Sequence, residues 1–407
     1  MKKVLFLCMN FPPMMTEGSS RAFKLASSLP EVGWEPVVIA FHSVSGPEIE
    51  QLPFDVHYVG QEVSLSDHDA EQMFRFVHGL PQRKRAFPKF GKTRLKTGAW
   101  KNGWEKKARA VAGQVLLDNP DVEMIYAQAP PFSPHRLALE LSGKHNLPVV
   151  FDCIGSFAAD KLEMTVMHSG HCVVMPSRDL KELFLRKYRE ELSHGDISIV
   201  KNCFDPKALQ TVGVKQDAGA LMRWVFHIEM AEDGDLKRFF SGLSTFTQSS
   251  HAGRERLSFV FTGAGSVAVG RYLKKYGLED FVEAHHVCSQ REELELCMRA
   301  DVYCLVLGRA EGYEVFVPER LYDVLGMSTS LAGVLPEGLS RQLILDVGGR
   351  TASIGSSGDI ADFLQDTLYL WRSKQLPVVN DVVARDYHIQ SAVQEFLREM
   401  AARLPLF

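Results

Sequence analysis

The chain has 407 residues, enough for two domains of ordinary size, and its 45% apolar and 24% charged residues are the balance of a water-soluble globular protein. A net charge of −4 excludes a whole-molecule affinity for polyanions, so any basic site has to be local. No apolar run approaches the roughly 20 residues that span a bilayer. The amino-terminal apolar run stops at Asn10-Phe-Pro-Pro with no small-residue cleavage site behind it. The seven cysteines are dispersed and odd in number, which favours reduced thiols in the cytoplasm over a disulfide frame.

Residues 4–8 are a short all-apolar run, the pattern of a parallel strand buried on both faces. A loop with Pro12, Pro13 and Gly18 follows, then a helical pattern with Phe23, Leu25, Ala26 and Leu29 on its inner face. Strands at 34–41 and 56–59 complete the strand-loop-helix-strand order that begins a doubly wound sheet. Residues 83–109 carry eleven cations, among them Arg83, Lys84, Arg85 and Lys89, against the single acid Glu105. Phe87, Phe90, Trp100 and Trp104 are interleaved with them. A basic, aromatic-studded surface suits anionic lipid headgroups; a solvated loop and helix face is the plainer reading. No nucleic-acid motif accompanies the charges. Strands at 122–127, 148–152, 171–176 and 197–200 alternate with helical patterns. His135 reads as a helix-surface residue and Ser177 as an N-cap. The first domain is expected to end near Asp205.

In the second half, strands are expected at 223–227, 257–262, 281–287 and 302–307. Gly263-Ala-Gly265 follows the second of these, where glycines let the backbone approach a ligand. Ser289 and Glu292 read as a capping box for the next helix. His285, His286 and Cys288 lack a partner pair at metal-ligand spacing and read as structural. The 302–307 strand runs into Arg309, Glu311, Gly312 and Tyr313, and Pro318 marks the start of a helix bearing Glu319 and Arg320. Gly326 reads as a left-handed helix stop. Two carboxylates thus flank one strand-to-helix junction, at the sheet edge where open α/β proteins bind ligands. Later helices are expected over 341–346, from Gly358, and from Tyr387 to the end.

Two glutamates with seven residues between them, the first followed by Gly-aromatic, resemble the E-x7-E motif of retaining glycosyltransferases of the GT-B fold, family 4 in particular, and the strand-loop order along most of the chain is similar to the family's polysaccharide-assembly members. The resemblance implies an α/β, GT-B architecture: two doubly wound Rossmann-like domains facing a central cleft. Residues 1–205 would be the acceptor domain, 206–387 the donor domain, and a tail at about 388–407 would cross back to the first. By the same resemblance Glu311 would orient the donor sugar and Glu319 would hold the nucleotide ribose. Gly312, Tyr313, Gly263, Gly265 and Ser289 would line the nucleotide, and Gly18 and Ser19 would bring backbone to the phosphates. Arg83, Lys84, Arg85, Lys89, Trp100 and Trp104 would meet the acceptor or the membrane.

The chain departs from the family at 227–235, His-Ile-Glu-Met-Ala-Glu-Asp-Gly-Asp. Members carry an Arg and a Lys there to neutralise the donor diphosphate; here both are absent and Asp233 stands at the lysine position. Arg309 and Arg320 are the candidate substitutes. Gln128-Ala-Pro-Pro likewise replaces a histidine that many members use. The expected activity is a hexosyl transfer from a nucleotide-diphosphate sugar to a glycan or lipid-linked glycan, without a metal or other cofactor and without nucleic acid, in the cytoplasm or peripheral on the inner face of the plasma membrane. The rival readings are an inactive relative that binds glycan or protein, and a nucleotide-sugar epimerase.

Overall fold

The computed structural model describes residues 2–12, 18–41, 52–59, 99–155, 161–210, 221–249, 257–263, 268–285, 290–310 and 312–403. The chain divides into two compact units, Met1–Asn202 with Ile389–Phe407, and Cys203–His388.

The first unit runs β1 (Lys2–Cys8), α1 (Ser19–Ser28), β2 (Trp34–Phe41), β3 (Asp55–Val59), α2 (Ala99–Asp118), β4 (Val122–Ala129), α3 (Ser133–His145), β5 (Val149–Cys153), α4 (Lys161–Met167), β6 (Cys172–Met175), α5 (Arg178–Lys187) and β7 (Ile197–Ile199). Its sheet has the order β3-β2-β1-β4-β5-β6-β7, and every pairing is parallel. Val4 to Cys8 have no solvent exposure. A parallel strand covered by helices on both faces must be apolar throughout, and that is why these runs stand out in sequence. Ser177 caps α5 by accepting the Leu180 amide. A buried ion pair seats α1 on the sheet. Arg21 donates Nε and Nη2 to the two oxygens of Asp152, at 2.7 and 3.1 Å, and Nη1 to Asn202 Oδ1 at 2.9 Å. The Tyr126 hydroxyl donates to the same carboxylate.

The second unit runs α6 (Pro206–Gln210), β8 (Met222–Glu229), α7 (Asp233–Ser249), β9 (Leu257–Thr262), α8 (Val269–Tyr276), β10 (Val282–His285), α9 (Gln290–Arg299), β11 (Val302–Leu307), α10 (Glu319–Leu325), β12 (Ser330–Val334), α11 (Leu339–Asp346), β13 (Arg350–Ala352), α12 (Ser357–Arg372) and α13 (Asp381–Ala384). The sheet order is β10-β9-β8-β11-β12-β13, again all parallel. Alternation along β8 gives its two faces different chemistry. Trp224, Phe226 and Ile228 join Phe239, Phe240, Phe261 and Leu364 in an apolar core. The Phe226 ring lies 5.3, 5.6 and 5.4 Å from those of Phe239, Phe259 and Phe261. Each such ring removed from water contributes about 1.5–3 kcal/mol. His227 and Glu229 point to the other face, described below. The last helix, α14 (Ile389–Arg403), belongs to the first unit, where Phe396 packs on Tyr126 at 5.8 Å and Glu399 accepts from Ser198 at 2.5 Å.

Several sequence expectations change. Gly326 is not left-handed, with φ −85°. Glycine is required there because a Cβ would fall 2.5 Å from Leu209 Cδ1 and Phe204 Cδ2. His135 is wholly buried rather than on a helix surface. Its Nε2 lies 3.0 Å from the Ala127 carbonyl, and its ring packs on Phe151. Trp104 is 1% exposed, so its ring belongs to the core and is not available to a membrane or acceptor. The acidic stretch from Asp233 opens a 17-residue helix, and acids in a first helical turn suit the helix dipole. Among the described residues, no helix is long and apolar enough to cross a membrane.

Candidate functional site

In the second sheet the chain winds outward on either side of the β8–β11 pair, so their C-terminal ends form a switch point where connecting loops diverge. Leu307 pairs with Glu229 at that edge, and the Gly308 amide donates to the Glu229 carbonyl at 3.0 Å. A Cβ on Gly308 would lie 2.3 Å from Ala231 Cα and from the Met230 carbonyl, so only glycine lets the two loops pass. Gly263, at the end of β9, has φ +81°, and a Cβ there would meet the Ile228 carbonyl at 2.6 Å. Both glycines bring loop backbone together at the edge.

Arg309 is the next residue along. Its backbone amide and Nε both donate to Asp235, at 3.1 and 3.2 Å. Arg238 holds the same carboxylate at 2.6 Å and donates Nε to the Ile354 carbonyl at 3.1 Å. Asp235 is buried, while the Arg309 side chain is 46% exposed. Asp235 therefore grips Arg309 by the Nε side, and among the described residues it is the carboxylate that guanidinium meets. Asp233 is compensated too. Lys237 at 2.7 Å, with Arg271 at 3.1 Å and the Tyr272 hydroxyl, pulls its pKa down to about 2, the Lys237 contact first. Two of the four acids of 229–235, Asp233 and Asp235, are thus compensated by Lys237, Arg238, Arg271 and Arg309.

Beneath the edge lies a chain of buried charges. His227 Nδ1 is 2.7 Å from Glu293 Oε1 and 3.1 Å from Thr262 Oγ1, and Nε2 is 3.2 Å from Glu229 Oε1. Arg320 donates Nε to Glu293 Oε2 at 3.0 Å and Nη1 to Asp323 Oδ2 at 2.7 Å. The Tyr303 ring stacks on His227 at 5.9 Å. Burial by itself would lower the His227 pKa, but Glu293 and Glu229 outweigh it and push the imidazole up to about 10. Burial would raise Glu293; Arg320 and His227 instead hold it well below the carboxylate range. Arg320, flanked by Glu293 and Asp323, stays charged despite burial.

His135 behaves oppositely in the other unit, where burial lowers it to about 3. A linkage prediction follows from the signs. The contribution of His227, whose folded pKa is raised, is complete below the unfolded value near 6.5 and is lost as pH rises through 10. That of His135, whose folded pKa is depressed, is complete above 6.5 and is lost as pH falls toward 3. Stability should peak near pH 6.5, with limbs of at most about 1.4 kcal/mol per pH unit. Urea unfolding at pH 5, 6.5, 8 and 9.5 checks this: His227→Gln should flatten the alkaline limb and His135→Gln the acid one.

The site residues expected from sequence fall in several groups. Glu311, Gly265, Ser289, Arg83, Lys84, Arg85 and Lys89 lie outside the described residues, as does the Trp100 side chain. Glu319 is the first residue of α10, partly exposed, with Pro318 as the N-cap rather than the first helical residue. Gly312 has φ +88° with open space around it, so glycine serves the conformation there, and Tyr313 follows half-buried. Arg320 is buried and bound to two carboxylates, which removes it as a cation for a diphosphate. Ser19 is buried. Gly18 has φ +90°, and a Cβ there would strike Ile154 Cδ1 at 2.3 Å, while Gln128 donates to its carbonyl at 3.0 Å. Its close approach is to its own chain. Gly308, Asp235, Arg238 and the His227–Glu293 pair were missed by the sequence reading; the i, i+2 placement of His227 and Glu229 on one strand was the available signal. Among the described residues, no group of three or more His, Cys, Asp or Glu is placed to hold a metal ion.

No family model and no curated protein matches the chain. Solved structures do. A glycosyltransferase from Rickettsia africae matches with 10% identity and a TM-score of 0.66, covering 100% of each chain. Anabaena HepE in complex with UDP matches with 11% identity and a TM-score of 0.61, covering 98% of this chain and 100% of its own. A putative UDP-N-acetylglucosamine 2-epimerase from Listeria monocytogenes matches with 11% identity and a TM-score of 0.59, covering 98% of this chain and 96% of its own. The two doubly wound parallel sheets are those of the GT-B fold. At such identities the likeness establishes the fold, and the chemistry has to come from the site.

Proposed function

We propose that this chain is a retaining glycosyltransferase of the family 4 type, moving a sugar from a nucleotide-diphosphate donor to a glycan or lipid-linked glycan. The observation that carries this reading is Arg309, oriented by Asp235 at the β8–β11 switch point and half-exposed there, beside the loop that leads to Glu319. When the sugar departs, negative charge grows on the diphosphate. A guanidinium held ready at the sheet edge stabilises that charge without reorganising. Glu319, an acceptor-only carboxylate, takes two hydrogen bonds from the ribose diol. Glu311 orients the sugar. No metal is needed, because guanidinium and backbone N–H groups do the neutralising. The cations of 83–109 draw the chain to an anionic acceptor or headgroup on the cytoplasmic membrane face.

Thermal shift with UDP, GDP, ADP and CDP sugars tests the reading, and stabilisation by none of them refutes it. Glu319→Gln should weaken the best donor about tenfold, the cost of one charge-assisted hydrogen bond. The second reading is a catalytically silent relative acting as a glycan- or protein-binding scaffold. The acidic stretch from Glu229 to Asp235 favours it, since it holds neither of the two cations that the resemblance calls for there. Product formed from any donor, and lost in Glu319→Ala, excludes it. Product analysis without acceptor separates transfer from epimerisation.

A further inference from the structure

Three segments of the second unit meet at the buried carboxylate of Asp235, and both of its oxygens are occupied. Oδ1 accepts from Arg238 Nη2 at 2.6 Å and from Arg309 Nε at 3.2 Å. Oδ2 accepts from the Arg309 amide at 3.1 Å and, at a longer 3.5 Å, from the Glu232 amide. A carboxylate offers about four lone-pair sites, so this one has no acceptor left over. Arg238 is held from behind as well, because its Nε donates to the Ile354 carbonyl at 3.1 Å, in the turn between β13 and α12. Gly242, further along α7, lets the two helices come close enough for that reach: a Cβ there would fall 2.7 Å from the Ser357 carbonyl and 2.8 Å from Ile360. Arg309 thus touches Asp235 through its amide and its Nε, and neither of its Nη groups meets an acceptor among the described residues.

We propose that Arg238 is a positioning residue for Arg309: by filling Asp235 Oδ1 from the far side it confines Arg309 to its Nε edge and leaves both Nη groups of Arg309 free for an anionic oxygen of a ligand. That the ligand is a donor diphosphate rests on the proposed transferase function; the division of the carboxylate between the two arginines does not. Without Arg238, the vacated lone pair draws in an Nη of Arg309, since a guanidinium meets a carboxylate best through two parallel N–H bonds. The group that should face the ligand is then spent on its own anchor. Without the Asp235 charge the opposite happens, and Arg309 loses its hold. A negative charge buried beside an anion site therefore raises affinity for the anion, the reverse of what Coulomb's law gives for the charge alone.

The test measures calorimetric affinity of the full chain for UDP, GDP, ADP and CDP, and the 15N-arginine spectrum at pH 6, with the Arg309 signals assigned by their loss in Arg309→Ala. Asp235→Asn should bind the preferred nucleotide about tenfold more weakly, the scale of one hydrogen bond to a charged group, although it removes a negative charge. Asp233→Asn, which removes a half-exposed acid of the same segment, should bind at least as tightly as the wild type. Arg238→Met should also bind about tenfold more weakly, and Arg238→Met/Arg309→Ala should lie within about threefold of Arg309→Ala, because two residues acting as one unit are not additive. Unchanged or tighter binding by Asp235→Asn, an equal loss in Asp233→Asn, or additive losses in the double variant overturns the proposal, since Arg238 would then act as a bare charge. In the spectrum, the wild-type Arg309 Nε–H should exchange slowly while its Nη groups rotate freely, and Arg238→Met should slow that rotation. Hindered Nη groups in the wild type, or no change in Arg238→Met, overturns it equally. If a variant fails to fold, the remaining one and the wild-type spectrum decide. A wild type that binds none of the four nucleotides refutes the transferase reading instead, and the arginine spectra still settle how Asp235 is divided.

Discussion

Arg320→Met should lower the unfolding free energy by about 3–5 kcal/mol, the cost of leaving buried carboxylates without their partner. Glu293 and Asp323 are both buried and both accept from this guanidinium, at 3.0 and 2.7 Å. Methionine matches much of the side-chain volume, so the loss comes from charge rather than from a cavity. Adding Glu293→Gln should recover a good part of the stability, because the desolvated charge facing the gap is removed together with its partner. Urea unfolding of the full chain, followed at amides of β8 and α10, measures both. A cost below about 1 kcal/mol would mean that water already reaches these carboxylates and that the charge chain is not dry.

Arg309→Ala should weaken the nucleotide donor roughly 10- to 100-fold, the range for losing hydrogen bonds to a charged group. Arg309→Lys should not restore it. A lysine ammonium has no Nε–H to hold Asp235 while turning further donors outward, so the present anchoring at 3.2 Å would be lost. Stability should barely move, because the side chain is half-exposed and Arg238 still compensates Asp235. Titration calorimetry with the nucleotide that stabilises the wild type gives the numbers. Unchanged affinity in Arg309→Ala would remove the support that this half-exposed guanidinium gives the enzymatic reading.

Parts of this site were legible in advance because they depend on neighbours in sequence. The run at 302–307, Arg309 two residues beyond it and Glu319 at the helix start follow one another along the chain, and strand-then-helix order places them at one sheet edge. The charge chain was not legible. His227 meets Glu293 across 66 residues and Arg320 lies a further 27 on, and nothing local in any of the three segments specifies the others. The cation–aromatic pattern around Trp104 misled for a related reason. Interleaved Trp and Lys suit a membrane surface and an amphipathic helix equally, and only packing tells which way the ring turns. His135 has the same history: its helical position looked external until the neighbouring strand supplied a carbonyl and the Phe151 ring. At Gly326 the residue was noticed, but its purpose was tertiary, clearance for Phe204 and Leu209, rather than a backbone angle.

By itself the amino-acid order determined the parallel strands, the double winding and the strand-to-helix junction. Those follow from which short segments are apolar on both sides and where glycine, proline and capping residues interrupt them. Only the tertiary structure decided the electrostatics: which acids are compensated, which arginine is buried with two carboxylates and which is left half-exposed at the sheet edge. Charges act through space at a few ångströms, and the fold sets those separations by bringing together residues that the chain keeps far apart.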